Sequence, residues 1–282
     1  MADFKAKHCG GYFKNNRNNI IKNKSHNNKK ESEKEVLFGR NACFGCLNGN
    51  NREVCTIYLL STKWNEYYNL IPEKHKLLCR KCDAHEMFSI AHDDKHQGIA
   101  LKVSKYNFLS IDDLLLEEND SNNTYRKQTK ALFLLDRVQD PHNVGNIIRT
   151  AYCLNIDGIV LTDRSSCGIT NSVVRTSAGY SEKIKIYKTN NAVQAVEKLK
   201  QKGYCIIGFD VNTNTKDDLR GVINQYDKCV FIFGSEGDGV RDLLKKTCDI
   251  IVKLPMREDA ESLNVANTTA IVGWEWMNKL TI

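Results

Sequence analysis

Two polar loops near the end of the chain carry the residue types that could hold a ligand. The first is Gly234-Ser-Glu-Gly-Asp-Gly239, which follows the apolar run 230–233, and the second, at 254–264, follows the apolar run 250–254. Glycine has no side chain, so three glycines in six residues allow a ligand to approach the backbone closely. Open α/β sheets bind ligands beyond the carboxyl ends of their strands, so the two loops predict a shared ligand site.

The glycine-rich loop at 234–239 differs from the common nucleotide-binding loops. No Lys-Ser or Lys-Thr pair directly follows Gly239, which excludes a P-loop for nucleoside triphosphates. Its glycine spacing and its late position also exclude the dinucleotide-binding fingerprint. Taken alone, the loop could be an ordinary turn, and its interpretation depends on the segments beside it.

A third polar segment, 136–149, leaves an apolar run, turns at Pro141 and enters an expected helix. Asn143 is a good capping residue for that helix, and capping alone would explain it. Arg149 lies six residues further, nearly two turns, so we expect it on roughly the same side of the helix. An arginine among apolar helix positions needs an anion, and a substrate phosphate is one candidate. The last segment of this kind, Ser262-Leu-Asn264, would cap the final helix.

The cysteines offer a metal site as an alternative. Cys43 and Cys46 form one C-x-x-C pair and Cys79 and Cys82 form another, as in four-thiolate zinc sites. Both pairs fall in stretches that we interpret as helix, whereas zinc-binding pairs usually lie in turns, so we expect no metal. Eleven cysteines without a secretory signal favour reduced thiols in a cytoplasmic protein.

From Ala131 onward, apolar runs typical of strands alternate with helical stretches. The expected strands lie at 132–136, 158–161, 204–209, 230–233 and 250–254, and the expected helices at 143–154 and 193–201. Such alternation predicts an α/β fold with a mainly parallel sheet and helices on both faces.

The earlier part of the chain divides into three segments by composition. Residues 1–35 lack apolar periodicity and predict a disordered extension, and 36–106 predict a small domain. In that domain we expect strands at 54–60 and 98–103 and helices that include 41–47 and 74–88. Residues 107–130 turn acidic and then polar, which suits a linker to the domain at 131–282.

The charge of the chain is concentrated at its beginning. The net charge is +7, and residues 1–35 hold nine Lys and Arg against four Asp and Glu. Such an extension can bind nucleic acid through phosphates, but a solvated leader is equally consistent with it. No apolar run reaches the length of roughly 20 residues that a membrane span requires, so we expect no membrane contact.

Taken together and in order, the three polar segments resemble the SpoU/TrmH branch of the SPOUT methyltransferases. The matching stretches are 140–149, 233–239 and 254–265. Phe38-Gly-Arg-Asn41 and His96-Gln-Gly-Ile-Ala100 are similar to the L30e-like substrate-binding domain of the members that act on rRNA. The chain departs from the family at Glu258, where glycine is usual, and at Ala266-Asn267, where Ser-Val is common.

The resemblance implies a C-terminal SPOUT domain with a trefoil knot, a small N-terminal L30e-like α/β domain, and a homodimer. It implies transfer of a methyl group from S-adenosyl-L-methionine to a ribose 2′-hydroxyl of RNA, with a guanosine of 23S rRNA as the expected target. A tRNA ribose methyltransferase and a non-catalytic RNA-binding protein are the alternatives, and neither DNA nor a membrane is an expected partner.

The resemblance also assigns the candidate site residues. By matching position, the cofactor contacts are Gly234, Leu254 and Leu263, and the catalytic positions are Asn143, Arg149, Glu236, Ser262 and Asn264. Arg149 is the family's proposed base, acting with a substrate phosphate. Because an arginine keeps its proton at any ordinary pH, we favour a phosphate clamp for it over a base.

Overall fold

The computed structural model describes residues 34–119, 129–163, 166–211, 213 and 217–281. The extension that we predict to be disordered therefore lies outside the described residues, except for its last two. Within the described ranges, the strands form one sheet of four and one of seven. None of the helices in those ranges combines the length and the apolar character that crossing a membrane requires.

The N-terminal part of the chain folds around the four-stranded sheet. Its strands are β1 (Glu35–Phe38), β2 (Val54–Leu60), β3 (Cys79–Cys82) and β4 (Ile99–Val103), in the order β1-β4-β2-β3. Strand β4 pairs antiparallel with β1 and β2, and β3 pairs parallel with β2. The helices around it are α1 (Arg40–Asn48), α2 (Trp64–Tyr68) and α3 (Ala84–Ala91).

The C-terminal part is built on a seven-stranded sheet in which every pair is parallel, as we predict for that region. Its strands are β5 (Leu109–Ser110), β6 (Lys130–Leu135), β7 (Gly158–Thr162), β8 (Lys185–Thr189), β9 (Cys205–Phe209), β10 (Lys228–Phe233) and β11 (Ile250–Val252). They lie in the order β11-β9-β10-β6-β7-β8-β5. The helices are α4 (Ile111–Asn119), α5 (Pro141–Cys153), α6 (Asn171–Thr176), α7 (Ala192–Lys200), α8 (Leu219–Gln225), α9 (Asp242–Lys245) and α10 (Val265–Thr281).

The central strands are buried on both faces, which explains their uninterrupted apolar sequence. Every residue of 131–135 in β6 and of 229–233 in β10 is buried. Phe133 packs edge-to-face against Phe231 and Phe233, and Phe231 packs edge-to-face against Trp276 of α10. The core therefore fixes the sheet end from which the two polar loops leave.

Two predicted segments differ from the structure. The helix predicted at 74–88 is instead a 3₁₀ turn at Glu73–Leu78, strand β3 and helix α3. The linker predicted at 107–130 contains β5 and α4, and β5 pairs with β8 at the edge of the large sheet. The acidic composition of 107–119 suggests a linker, but Ile111 and Leu114 of α4 are buried and pack in a hydrophobic cluster with Leu132 and Leu134 of β6.

A buried arginine joins the two parts of the chain. The Arg52 Nε atom donates to Glu182 at 3.0 Å, Nη1 contacts Glu35 at 2.6 Å, and Nη2 donates to the carbonyl of Ile169 at 2.5 Å. The side chains of Arg52 and Glu182 are both fully buried. A charge buried in this way is tolerated only when its partners surround it, so the N-terminal part is docked on the larger sheet at a defined angle.

Candidate functional site

Three polar side chains from the three predicted segments form one hydrogen-bonded chain. Asn264 Nδ2 donates to Asn143 Oδ1 at 3.2 Å, and Asn143 Nδ2 donates to Glu236 Oε1. The three residues are far apart in sequence, and they meet because β6, β10 and β11 are parallel and end at the same edge. The structure thus brings together three of the five predicted catalytic positions.

The Asn143 side chain can form these two hydrogen bonds because another residue caps its helix. The Asp140 side chain accepts the His142 backbone N–H at 3.0 Å, and Pro141 occupies the first helical position. Capping, the alternative explanation for Asn143, is therefore supplied by Asp140 instead. Asn264 does cap α10, since its Oδ1 accepts the Ala266 N–H at 2.8 Å while its Nδ2 donates to Asn143.

A cavity of about 290 Å³ lies beside these three hydrogen-bonded side chains, between the two predicted ligand loops. One part of its wall is apolar and consists of Phe209, Val211, Phe233, Val252, Leu254, Met256, Leu263 and Val265. The other part is polar and includes Asp210, Ser235, Glu236, Ser262 and Asn264. All three predicted cofactor residues, Gly234, Leu254 and Leu263, line this cavity, as does Ser262.

The glycine-rich loop folds back on itself so tightly that only glycine fits at position 234. A Cβ placed on Gly234 would lie 1.9 Å from the carbonyl carbon of Gly239. Gly239 itself has φ of +66°, a conformation that side chains disfavour, and its N–H donates to the Ser235 carbonyl. The loop therefore presents its backbone to the cavity, as the sequence predicts.

An ion pair that we did not predict fixes the start of α9 against the end of β6. Arg241 holds the fully buried Asp136 with two hydrogen bonds, from Nε at 3.0 Å and from Nη2 at 2.6 Å. These hydrogen bonds raise the pKa of Arg241. The sequence feature that could have predicted this ion pair is an aspartate directly after an apolar strand. A carboxylate buried there needs a cationic partner. A second such pair, between Asp210 and Lys245 at 2.6 Å, lies in the cavity wall.

Arg149 does not line the cavity. It is exposed, and it forms no hydrogen bond or ion pair with any residue that the structure describes. Six residues in an α-helix correspond to a rotation that leaves two side chains about 120° apart, so Asn143 and Arg149 do not share one face. Our prediction of a shared face is therefore wrong, and Arg149 presents its guanidinium to solvent. Glu258, the departure from the family pattern, is also exposed.

The four cysteines of the alternative zinc site lie in regular structure. Cys43 and Cys46 are buried on α1, whereas Cys82 packs with Met87 in a separate small cluster. Burial raises the pKa of Cys46 to about 12 and that of Cys82 to about 11, which keeps both thiols protonated, whereas zinc binds the thiolate. Among the described residues no group of three or more His, Cys, Asp or Glu side chains is arranged to hold a metal ion.

Comparisons with family sequence models match both parts of the chain. Residues 130–274 match the SpoU rRNA Methylase family. Residues 36–109 match the family described as RNA 2′-O ribose methyltransferase substrate binding. The match at 36–109 runs from β1 to the start of β5, and the match at 130–274 runs from β6 into α10.

Relatives and solved structures agree with these matches. The chain is 31% identical, over 66% of its length and 71% of the relative, to YacO of Bacillus subtilis, which is named as a TrmH family tRNA/rRNA methyltransferase. It is 30% identical, over 86% of its length and 74% of the relative, to a tRNA/rRNA methyltransferase of Mycobacterium tuberculosis. An AdoMet-bound rRNA methyltransferase from Sinorhizobium meliloti superposes with a TM-score of 0.73 at 19% identity, covering 97% of this chain and 98% of that one. AviRb, a SpoU methyltransferase from Streptomyces viridochromogenes, superposes with a TM-score of 0.69 at 16% identity over 90% and 93%.

Proposed function

This chain belongs to the SpoU rRNA methylase family, and from that membership we propose that it transfers a methyl group from S-adenosyl-L-methionine to a ribose 2′-hydroxyl of RNA. The observation that carries the proposal is the Asn264–Asn143–Glu236 chain beside the cavity between the two loops. These side chains come from three segments that share no local structure. Their convergence beside one cavity supports this cavity as the reaction site.

The cavity suits the proposed cofactor. Its apolar wall, which includes Leu254 and Leu263, offers a surface for the adenine ring, and the close backbone approach at Gly234 exposes peptide groups for hydrogen bonding. The polar wall offers carboxylates to a ligand that carries hydroxyl groups and a positive charge. When bound, S-adenosyl-L-methionine supplies an electrophilic methyl group on a sulfonium.

The residues of this chain would then position the nucleophile. The hydrogen bonds from Asn264 and to Glu236 hold the Asn143 amide in one orientation at the edge of the cavity. Holding a reacting hydroxyl in line is the larger part of catalysis when the electrophile is already reactive. Arg149, which is exposed, would hold a phosphate of the RNA, and Ser262 would shape the cavity next to Asn264.

The match of 36–109 to a family that binds the substrate of RNA 2′-O ribose methyltransferases supports an RNA substrate, and we propose a guanosine of 23S rRNA as the target. We keep the division into a substrate-binding domain at 36–106 and a methyltransferase domain at 131–282, with α4 attached to the latter. A tRNA substrate is the second candidate, since the names of the relatives include tRNA as well as rRNA.

A homodimer and a trefoil knot are further parts of this proposal. The face of α10 that points away from the core carries two large exposed apolar side chains, Ile271 at 42% and Trp274 at 59%. An apolar face of this kind on a long terminal helix is suited to a second copy of the chain. Loss of the dimer in Trp274→Glu, measured by sedimentation, would support this arrangement, and an unchanged mass would contradict it.

The test of the activity is methyl transfer from labelled cofactor to unmodified large-subunit rRNA and to tRNA, with Arg149→Ala measured beside the wild type. Label in rRNA that the variant abolishes is the expected result. Label in tRNA alone would move the substrate to the second candidate. Absence of cofactor binding would contradict an enzymatic function and support an RNA-binding protein that has lost catalysis.

A further inference from the structure

A second cavity lies between the two parts of the chain and beside the proposed reaction site. It has a volume of about 860 Å³, within the range of ligand sites. One side comes from the N-terminal part, including Phe38, Asn41, Asp93, Lys95 and Gln97, and the other from the C-terminal part, including His142, Asn171, Ser172 and Arg175. We call it the interdomain cleft. His142 immediately precedes Asn143 of the reaction site, so the interdomain cleft reaches the first turn of α5.

Two amide side chains in the interdomain cleft have a fixed orientation. The N–H of Phe38 donates to Asn171 Oδ1 at 3.1 Å, and the N–H of Arg40 donates to Gln97 Oε1 at 2.7 Å. A backbone N–H must face the oxygen of an amide, so each NH₂ group is left to donate elsewhere. No acceptor for either NH₂ group is found among the residues that the structure describes.

The charged groups of the interdomain cleft are mainly cationic. Arg175 pairs with Asp93 at 3.0 Å and lies over the ring of Phe38, 4.7 Å from its centre, which leaves part of the guanidinium available. Lys95 is exposed, and its ammonium forms no hydrogen bond or ion pair with the residues that the structure describes. The one carboxylate, Asp93, already accepts from Arg175 and from the Lys95 N–H. The cleft therefore offers hydrogen-bond donors and a net positive charge.

We propose that the interdomain cleft binds the phosphodiester backbone of unpaired RNA next to the ribose that is methylated. Phosphate oxygens accept hydrogen bonds and carry negative charge, which matches the NH₂ groups of Asn171 and Gln97 and the cations Arg175 and Lys95. Because both sides of the cleft supply donors, the RNA would bind only to the docked arrangement of the two parts. The inference rests on the proposed function, since it places the RNA beside that reaction site.

The amide geometry allows a substitution that removes one donor and keeps the fold. Asn171→Asp and Gln97→Glu retain the oxygen that accepts the backbone N–H, while the NH₂ group is replaced by a negatively charged oxygen. Gln225→Glu is the matched control because it makes the same change of charge at an exposed position of α8, outside the cleft. The probe is a labelled single-stranded RNA of about ten nucleotides, bound to the full chain without cofactor.

We expect Asn171→Asp and Gln97→Glu each to weaken RNA binding roughly 10-fold or more, and Gln225→Glu to leave it unchanged. The RNA association constant falls as salt rises. In Lys95→Ala the slope of its logarithm against log salt should be less steep by about 0.7, the value for one phosphate contact to a single strand. Wild-type affinity in both amide variants, or an equal loss in Gln225→Glu, would overturn the proposal. If Asn171→Asp does not fold, the exposed positions Gln97 and Lys95 still decide the question.

The same experiment separates this inference from the proposed activity. RNA binding is measured without methyl transfer, so cleft-dependent binding by a chain that methylates no RNA would overturn the activity alone. Conversely, methyl transfer with an unchanged KM for RNA in both amide variants would overturn the cleft alone. The expected result for the variants is a raised KM for RNA with kcat little changed, because the cleft does not touch the reacting atoms.

Discussion

The side chain of Asn143 on α5 donates a hydrogen bond to Glu236 in the glycine-rich loop, across 93 positions of sequence. On its other side Asn143 accepts from Asn264, so all hydrogen bonds in the chain point toward the carboxylate. This direction requires an amide at position 143, because that side chain accepts on one side and donates on the other. A carboxylate at position 143 could still accept from Asn264 but would face Glu236 with like charge.

We therefore expect Asn143→Asp to lower methyl transfer by roughly 10²-fold, because the two carboxylates repel and displace the loop from the reaction geometry. The double variant Asn143→Asp with Glu236→Gln restores a donor and an acceptor in reversed order and keeps the net charge of the pair. It should recover part of the lost methyl transfer, measured with labelled cofactor. If the effect of the double variant equals the sum of the effects of the two single variants, the pair does not act through a hydrogen bond.

The close approach of Gly234 to Gly239 gives a second prediction. Because a Cβ at position 234 would lie within 2.2 Å of three backbone atoms, Gly234→Ala must move the loop. We expect at least a roughly 10-fold loss of S-adenosyl-L-methionine affinity, since the displaced backbone forms one wall of the cavity. The affinity is measured by equilibrium binding.

Gly221→Ala is the control for this substitution. Gly221 lies within α8, and a Cβ there would meet only Asp218 Oδ2 at 3.7 Å, an ordinary contact. Alanine in a helix is favoured over glycine by about 1 kcal/mol, so the control should keep its affinity and unfold at an equal or higher temperature. Equal cofactor affinity in both variants would show that the loop backbone does not hold the cofactor.

Parts of the fold followed from the sequence because burial dictates them. The runs 131–135 and 229–233 are apolar throughout since both faces of a parallel strand are covered, and this pattern predicted the large sheet and the loops that leave it. Strand β3, in contrast, has the sequence Cys79-Arg-Lys-Cys82, with two exposed charged residues at its centre. Its strand conformation comes from pairing with β2, which no local pattern encodes.

The sequence predicted which residues belong to the site better than it predicted how they are arranged. Gly234, Leu254 and Leu263 were assigned by resemblance, and the structure places them around one cavity. The orientation of Asn143 depends on Asp140 capping the helix in its place, a competition between two good capping residues that sequence alone does not resolve. The pair of Asp136 with Arg241 requires knowledge of which loops meet, 105 positions apart.

The buried Glu182 predicts a dependence of stability on pH. Burial raises the pKa of Glu182 above its ordinary value, and this effect outweighs the attraction of Arg52. As pH rises from the ordinary pKa of a glutamate, about 4.3, the unfolded chain releases this proton before the folded chain does. Stability attributable to this group therefore falls through the window between the unfolded and the folded pKa and stays constant above it.

Glu182→Gln removes that proton release and keeps a side chain that can accept from Arg52. Its free energy of unfolding in urea, taken relative to the wild type, should rise with pH across this window and then become constant. Glu197→Gln is the control because Glu197 lies on the exposed face of α7, and its difference from the wild type should not change in this way. A constant difference for Glu182→Gln at every pH would contradict a raised pKa.

Arg149 gives the last prediction, because its position separates RNA binding from cofactor binding. It is exposed, unpaired among the described residues and absent from the cavity wall, so Arg149→Ala should leave S-adenosyl-L-methionine affinity unchanged. Methyl transfer should fall by roughly 10²-fold or more, as for the loss of one group that stabilises charge in a transition state. Arg149→Lys keeps the charge but loses the two-pronged geometry that fits a phosphate, so its rate should lie between those of the wild type and the alanine variant. Arg220 is an exposed arginine of α8, and Arg220→Ala should behave as the wild type.

A phosphate clamp also predicts that the residual rate of Arg149→Ala has the same pH dependence as the rate of the wild type. A residue that removes the proton would instead shift the pH profile when it is replaced.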